Sequence, residues 1–228
     1  MSVERGSGVI LRTRLLTETS LIVHWLTAEH GRLATVAKGA RRPKSPFRGK
    51  LDLFYEAEFS FQRSRRSDLH TLREAVVTAT HPALRTRIEN LRQAAYATAL
   101  LEVATETETA VPPLHQLFRE LLGCLGTEPA PPQLVLAFEL KVLAESGLQP
   151  NLDRAGLNAG TRALAAALAG RPLAEALRVS PVPAQATELD RFLHRFIARH
   201  LERVPRGRAE ALGTSAPPAA ARPVASPE

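Results

Sequence analysis

Leu51-Asp-Leu-Phe-Tyr-Glu-Ala-Glu-Phe-Ser-Phe61 sets Leu51, Leu53, Tyr55, Ala57, Phe59 and Phe61 at odd positions and, Phe54 apart, polar residues at even ones. Successive side chains of a strand point to opposite faces, so this alternation predicts a strand with one buried face and one wet face. Outward from it, Val9–Leu15, Leu21–Thr27, Arg32–Lys38 and Leu69–Val77 read as four further strands. The second and third in chain order are joined by Ala28-Glu29-His30-Gly31, whose glycine supplies the positive φ that a hairpin needs. Five short, mostly consecutive strands within roughly 75 residues predict a small closed barrel of the oligonucleotide-binding (OB) type. Trp25 alternates within an apolar strand, which assigns it to the barrel core rather than to a stacking surface.

At His81-Pro82 the period changes. Leu84, Ile88, Leu91, Ala95 and Ala99 follow at spacings of four, three, four and four, the stripe of an amphipathic helix. Pro82 opens it, where a missing N–H costs nothing. A second helix is predicted from Pro113 to Leu125, with Leu114, Leu117, Phe118, Leu121 and Leu122 inward. A third starts at Pro132 and ends at Gly147, a natural C-terminal stop. Helical segments Thr161–Ala169, Leu173–Val179 and Glu188–Val204 follow, the last striped by Leu189, Phe192, Leu193, Phe196 and Leu201. From about Gly207 the chain is rich in Ala and Pro and reads as a disordered tail. The expected fold is α+β and multidomain: a five-stranded OB-type barrel at 1–80, an all-α domain at 81–206, and the tail at 207–228.

Hydrophobic residues make up 44% of the 228, enough for a real core. The net charge of +7 is unevenly placed: residues 1–80 hold 14 Lys/Arg against 8 Asp/Glu, residues 81–228 hold 16 against 15. Most of the excess sits in Lys38-Gly-Ala-Arg-Arg-Pro-Lys-Ser-Pro-Phe-Arg-Gly-Lys50, with cations at Lys38, Arg41, Arg42, Lys44, Arg48 and Lys50 and no acid. Gly39, Pro43, Pro46 and Gly49 forbid a regular helix there. The stretch reads as a flexible loop that grips a polyanion; the alternative is a solvated loop that aids solubility. Arg41, Arg42 and Arg48 suit bidentate contacts to phosphate, and Lys38, Lys44 and Lys50 act as point charges. Phe47 either stacks on a base or folds back to anchor the loop. Arg63, Arg65 and Arg66 form a second basic cluster between the last two strands, a further nucleic-acid contact or a solvated hairpin tip.

Other classes of function find little support. Met1-Ser-Val-Glu-Arg5 lacks the apolar run of a signal peptide, and no stretch approaches the roughly 20 apolar residues of a spanning helix, so no membrane partner is expected. Cys124, the single cysteine, can form no internal disulfide and reads as a small core residue in a reducing cytoplasm. Neither a phosphate-binding loop nor a dinucleotide fingerprint occurs. His194 and His200 lie six apart, on different faces of a helix. Glu56 and Glu58 share the wet face of their strand at a spacing common among surface acids. No enzymatic activity and no cofactor are expected.

Five stretches carry a resemblance to a known family. Ser20-Leu-Ile-Val-His-Trp-Leu-Thr27, Glu29-His-Gly31 and Val36-Ala-Lys-Gly-Ala-Arg-Arg42 with Lys44-Ser45 resemble the N-terminal barrel of the bacterial RecO recombination mediators. Leu69-His-Thr-Leu-Arg-Glu-Ala75 resembles the strand closing that barrel, and Phe138–Asp153 is similar to the family's helix and the turn after it. The resemblance covers roughly 8–155.

It implies a non-catalytic DNA-repair protein that binds single- and double-stranded DNA and anneals complementary strands. A RecR-type partner would help it load a RecA-type recombinase onto DNA coated by single-strand DNA-binding protein. The acidic, hydrophobic C-terminal tail of that coating protein would enter a groove of the helical domain rimmed by arginines such as Arg92. The implied place of action is the cytoplasm, at the nucleoid. Many members of the family carry two Cys-x-x-Cys pairs that hold zinc after the turn. Here the segment is Asp153-Arg-Ala-Gly-Leu-Asn-Ala-Gly160, with Ala155 and Asn158 where the first pair would be, so no zinc is expected and the connection is left to packing. A different class, an RNA-binding or ribosome-associated barrel with a helical interaction module, stays open because fold does not fix function.

Overall fold

A computed structural model describes residues 3–126 and 128–214. Five strands, β1 (Val3–Leu15), β2 (Leu21–Thr27), β3 (Arg32–Ala37), β4 (Glu56–Gln62) and β5 (Leu69–Ala79), close into a barrel in the order β1-β2-β3-β5-β4. All neighbours are antiparallel except β3 and β5, which pair in parallel over Ala34–Val36 and Leu69–Thr71. This is the OB arrangement. Trp25 is fully buried at its centre, stacked on Phe59 with ring centroids 4.1 Å apart, and its indole N–H donates to Thr35 Oγ1 at 2.9 Å. Gly31 takes φ 62° as the turn demands. It has a second reason to be glycine: a Cβ there would lie 1.8 Å from the Thr109 carbonyl oxygen.

The decisive strand is shorter than its alternation predicts. Residues 51–55 are held off the ladder by Phe54, whose φ is +64°, and by hydrogen bonds from Phe54 N–H to Ile10 O (2.8 Å) and from Ile10 N–H to Tyr55 O (2.9 Å). The turn inverts the expected faces. Leu53 is exposed, while Phe54 is buried among the helices against Phe118. Glu56 is also buried rather than wet, accepting from Arg119 Nε at 2.7 Å and lying 3.0 Å from His81 Nε2. Those partners hold its carboxyl below the usual glutamate range, His81 first and Arg119 after it, against the opposing effect of burial.

The helices are α1 (Ile88–Ala104), α2 (Pro112–Cys124), α3 (Gln133–Glu145), α4 (Ala159–Gly170), the short α5 (Leu173–Ala176), α6 (Pro183–His200) and α7 (Arg208–Ala211). The inward residues expected of α2 are all buried, and α3 ends at Gly147 with φ 71° and a Leu148 N–H to Leu143 O bond of 2.8 Å. The stripe expected after Pro82 holds at Leu84, which is buried, and at Leu91, which packs against the core, and fails at Ile88 and Ala95. Leu84 lies on a 3₁₀ turn, Pro82–Thr86, and Arg87 is extended, so α1 starts in a new phase. Ile88 and Ala95 face solvent, and Ala94, Tyr96, Ala97, Leu100 and Leu101 form the buried side. In α6, Leu189, Leu193 and Ile197 are buried, with Phe192 and Phe196 at the edge.

Residues 207–214, expected in the disordered tail, belong to the helical domain instead. Arg208 of α7 is buried and donates from Nε and Nη2 to Glu139 of α3 at 2.6 and 2.9 Å, and from Nη1 to Asp190 of α6. Tyr96 donates to the same Glu139, and burial followed by that carboxylate pushes its phenol well above the ordinary value. The rest of the expected tail, 215–228, lies outside the described residues.

Part of the barrel packs into the helical core, beside a second cluster inside the barrel. Val9, Leu11, Leu26 and Phe54 join the helical cluster, whereas Ile10, Val23, Trp25, Phe59 and Phe61 fill the barrel. A bulge between Ile10 and Arg12 turns Arg12 to the helices, where it clasps Glu102 of α1 through two bonds of 2.5 and 2.6 Å. Arg32 of β3 donates to Thr105 Oγ1 and O at 2.8 and 2.6 Å.

Candidate nucleic-acid interface

Between β3 and β4 the chain makes a run of turns rather than a flexible span. Backbone N–H groups of Ala40, Arg42, Ser45, Arg48 and Lys50 each reach back to a carbonyl three residues earlier, at 3.0–3.3 Å. Gly39 and Gly49 supply the left-handed conformations, φ 66° and 72°. Two apolar side chains, Ala40 and Phe47, are buried in the barrel cluster. The β1–β2 hairpin braces the loop from the side: Arg41 N–H donates to Thr19 O at 3.0 Å, Gly39 N–H to Ser20 Oγ at 3.3 Å, and Arg41 Nη1 to Glu18 O at 3.0 Å.

Phe47 is 7% exposed and packs inward with the barrel cluster, the geometry that its anchoring reading expects. Around this anchor Lys38, Arg41, Arg42, Lys44 and Arg48 are exposed and Lys50 is half-buried. Among the described residues no carboxylate pairs with any of the six. No internal carboxylate among the described residues neutralises these cations, so their positive field projects outward.

The second basic cluster divides. Arg63 is taken up internally, donating to Glu4 at 2.8 and 3.0 Å and to Glu108 at 2.5 Å, contacts that raise its pKa and lower that of Glu4. With His70, 2.9 Å from Glu108, it ties the barrel to the segment after α1. Arg65 and Arg66 are exposed at the β4–β5 tip.

In the helical domain, a groove of about 610 Å³ lies between α2, α3 and α4. Its rim carries Glu120 and Glu145, and Lys141 is engaged with Ala169 O at 2.9 Å; Arg92 does not line it. Like charges on that rim make it a poor seat for an acidic tail.

The connection at 153–160 does not fit a zinc site, since Ala155 and Asn158 offer no thiolate. Among the described residues no group of three or more His, Cys, Asp or Glu could hold a metal ion. Packing is not its only support. Asn158 caps α4, accepting from Thr161 N–H at 2.8 Å, and Glu188 of α6 accepts from Asn158 Nδ2, from Thr161 Oγ1 and from Asn158 N–H. Cys124 lies half-buried on α2, and burial raises its thiol pKa, the behaviour of an inert thiol.

Comparison with known proteins agrees with this architecture over the barrel and the first helices. Residues 1–81 match the family described as Recombination protein O N terminal, and residues 85–158 match Recombination protein O C terminal. The DNA repair protein RecO of Actinobacillus pleuropneumoniae serotype 7 is 34% identical over 147 residues, 64% of this chain and 60% of that protein. That of Exiguobacterium sibiricum is 29% identical over 151 residues, 66% of this chain and 60% of that one. For Listeria monocytogenes serotype 4b the figures are 30% over 155 residues, 68% and 60%. The matched region thus spans about 60% of the length of these relatives. With barrel and first helices both matched, the chain belongs to the RecO family.

Proposed function

We propose that this chain is a DNA-binding recombination mediator of DNA repair. It would hold single- and double-stranded DNA by the phosphate backbone and anneal complementary strands. With a RecR-type partner it would help load a RecA-type recombinase onto DNA coated by single-strand DNA-binding protein. The observation that carries the reading is the loop 38–50, six cations without acid partners among the described residues, set on an OB barrel. A surface that holds two strands without reading bases screens their repulsion and raises their local concentration. Annealing on it needs no nucleotide, metal or catalytic group. The near-neutral helical domain is the place for protein partners, with the tail of the coating protein on a surface other than the groove between α2, α3 and α4. The work would be done in the cytoplasm at the nucleoid.

Strand annealing, with and without single-strand DNA-binding protein, tests this with wild type and a Lys38/Arg41/Arg42/Lys44→Ala variant. If all six cations engage a single strand, the log–log salt slope of binding is about −4, at roughly 0.7 per phosphate; removing four leaves about −1.4. Among the described residues the removed side chains have no ion partners, and only the Arg41 bond to Glu18 O is lost with them, so the melting temperature should fall little. Equal annealing by both proteins, or a wild-type slope near zero, would refute the reading. Preferential binding of RNA in competition with single-stranded DNA would favour the RNA-binding alternative.

We also propose that the chain folds without zinc, the Asn158–Thr161–Glu188 cluster closing the connection in its place. Stoichiometric zinc in the purified protein would contradict this.

A further inference from the structure

Beside the turn run of the loop lies an open depression of about 540 Å³, within the range of small-molecule sites, roughly 300–1,000 Å³. Its floor is apolar. Phe47, Leu51 and Tyr55 contribute to it, Phe47 as part of the barrel cluster and the other two packed against that cluster while half-open to solvent. Its rim is cationic, with Arg41, Arg42 and Arg48. The one acid of the lining, Asp52, is engaged by Arg85 at 3.1 Å, so it does not cancel the rim.

Tyr55 is the aromatic group of this surface that remains accessible. Its main chain is fixed: Tyr55 N–H donates to Asp52 O at 3.2 Å, and Tyr55 O accepts from Ile10 N–H at 2.9 Å. Arg85 sits over the ring, 5.0 Å from its centroid, but does not line the depression. Tyr55 itself lines the depression and is half-open to solvent. A flat apolar floor beside guanidinium groups has the chemistry of a nucleotide unit: a base needs an aromatic surface, its phosphate needs donors in a fork. A base stacked within a duplex cannot lie down on such a floor, so the site accepts unpaired bases only.

We infer that this depression binds one unpaired base of a single strand, stacked on Tyr55, with the adjacent phosphates on Arg41, Arg42 and Arg48. The inference rests on the proposed DNA-binding reading and adds to it a reason why single strands are held apart from duplex. Phosphate contacts alone give no such distinction.

Affinity for an oligothymidylate is compared with affinity for a strand of equal length and charge made of abasic residues. Wild type should bind the oligothymidylate about tenfold more tightly, the scale of stacking one base. Tyr55→Leu, which keeps apolar volume, should lose that advantage, and Tyr55→Phe should keep it, with melting temperatures alike. Equal affinity of wild type for the two strands would overturn the base site while leaving the phosphate grip intact. Persistence of the full advantage in Tyr55→Leu would likewise overturn it. Failure to bind either strand would remove the DNA-binding reading itself, and the base site with it.

Discussion

The molecule uses its arginines in two opposed ways. Arg12, Arg63, Arg85, Arg119 and Arg208 each meet a carboxylate, and all but Arg208 join barrel to helical domain. The arginines and lysines of 38–50 meet none among the described residues. Both sets count alike in a net charge, yet only the second is free to attract an external anion. Matched cations are spent on internal structure, where removing one strands its partner. Unmatched ones cost almost nothing to remove from the fold and everything to remove from a phosphate grip. Where a cation's acid lies, rather than how many cations there are, decides which kind it is.

Arg208 offers the hardest blow to that comparison. Arg208→Ala leaves Glu139, fully buried, facing Tyr96 and no cation. Removing one partner of a buried pair costs about 3–5 kcal/mol, because the remaining charge is left in an apolar medium. Thermal unfolding should show this loss, while single-strand affinity measured well below the melting temperature stays at its wild-type value. An Arg208→Ala protein as stable as wild type would mean that matched arginines are no more structural than the loop's.

Much of the fold was legible in the sequence because it follows from a period. Strand alternation marked the barrel, and β2 begins and ends where its pattern of apolar residues does. The inward residues of α2 obey the helical period as read. What escaped had no period to show it. Phe54 looked like the exception in a strand, but a positive φ turns it into the helical core and pushes Leu53 out. The stripe through Ile88 broke because Arg87 is extended and resets the helix phase. Arg208 was lost in an Ala- and Pro-rich composition, since its partners lie 69 and 18 residues away and only tertiary packing joins them. The candidate site divides in the same manner. Exposure of the loop cations was readable from glycine and proline, whereas the internal engagement of Arg63 depends on Glu4 and Glu108, distant in sequence. The alternation assigns Tyr55 to a strand's buried face, whereas the role inferred for it arises from the loop folding beside it.

Phe47 tests the other half of the comparison, the platform under the unmatched cations. A single aromatic in an irregular loop has no periodic signal, so its direction could be settled only in the folded molecule, where it packs into the barrel cluster at 7% exposure. Phe47→Ala should cost about 3 kcal/mol, the lower end for truncating a buried Phe, because it lies at the cluster's edge. The turns it pins would loosen, and the salt slope of single-strand binding should flatten as the cations lose their common placement. Phe47→Leu separates anchoring from stacking. Leucine refills most of the volume but has no ring, so an anchor is restored in both stability and DNA affinity. Recovery of the melting temperature without recovery of affinity would return Phe47 to the role of a stacking residue and leave the loop's charge dependent on a second, aromatic contact.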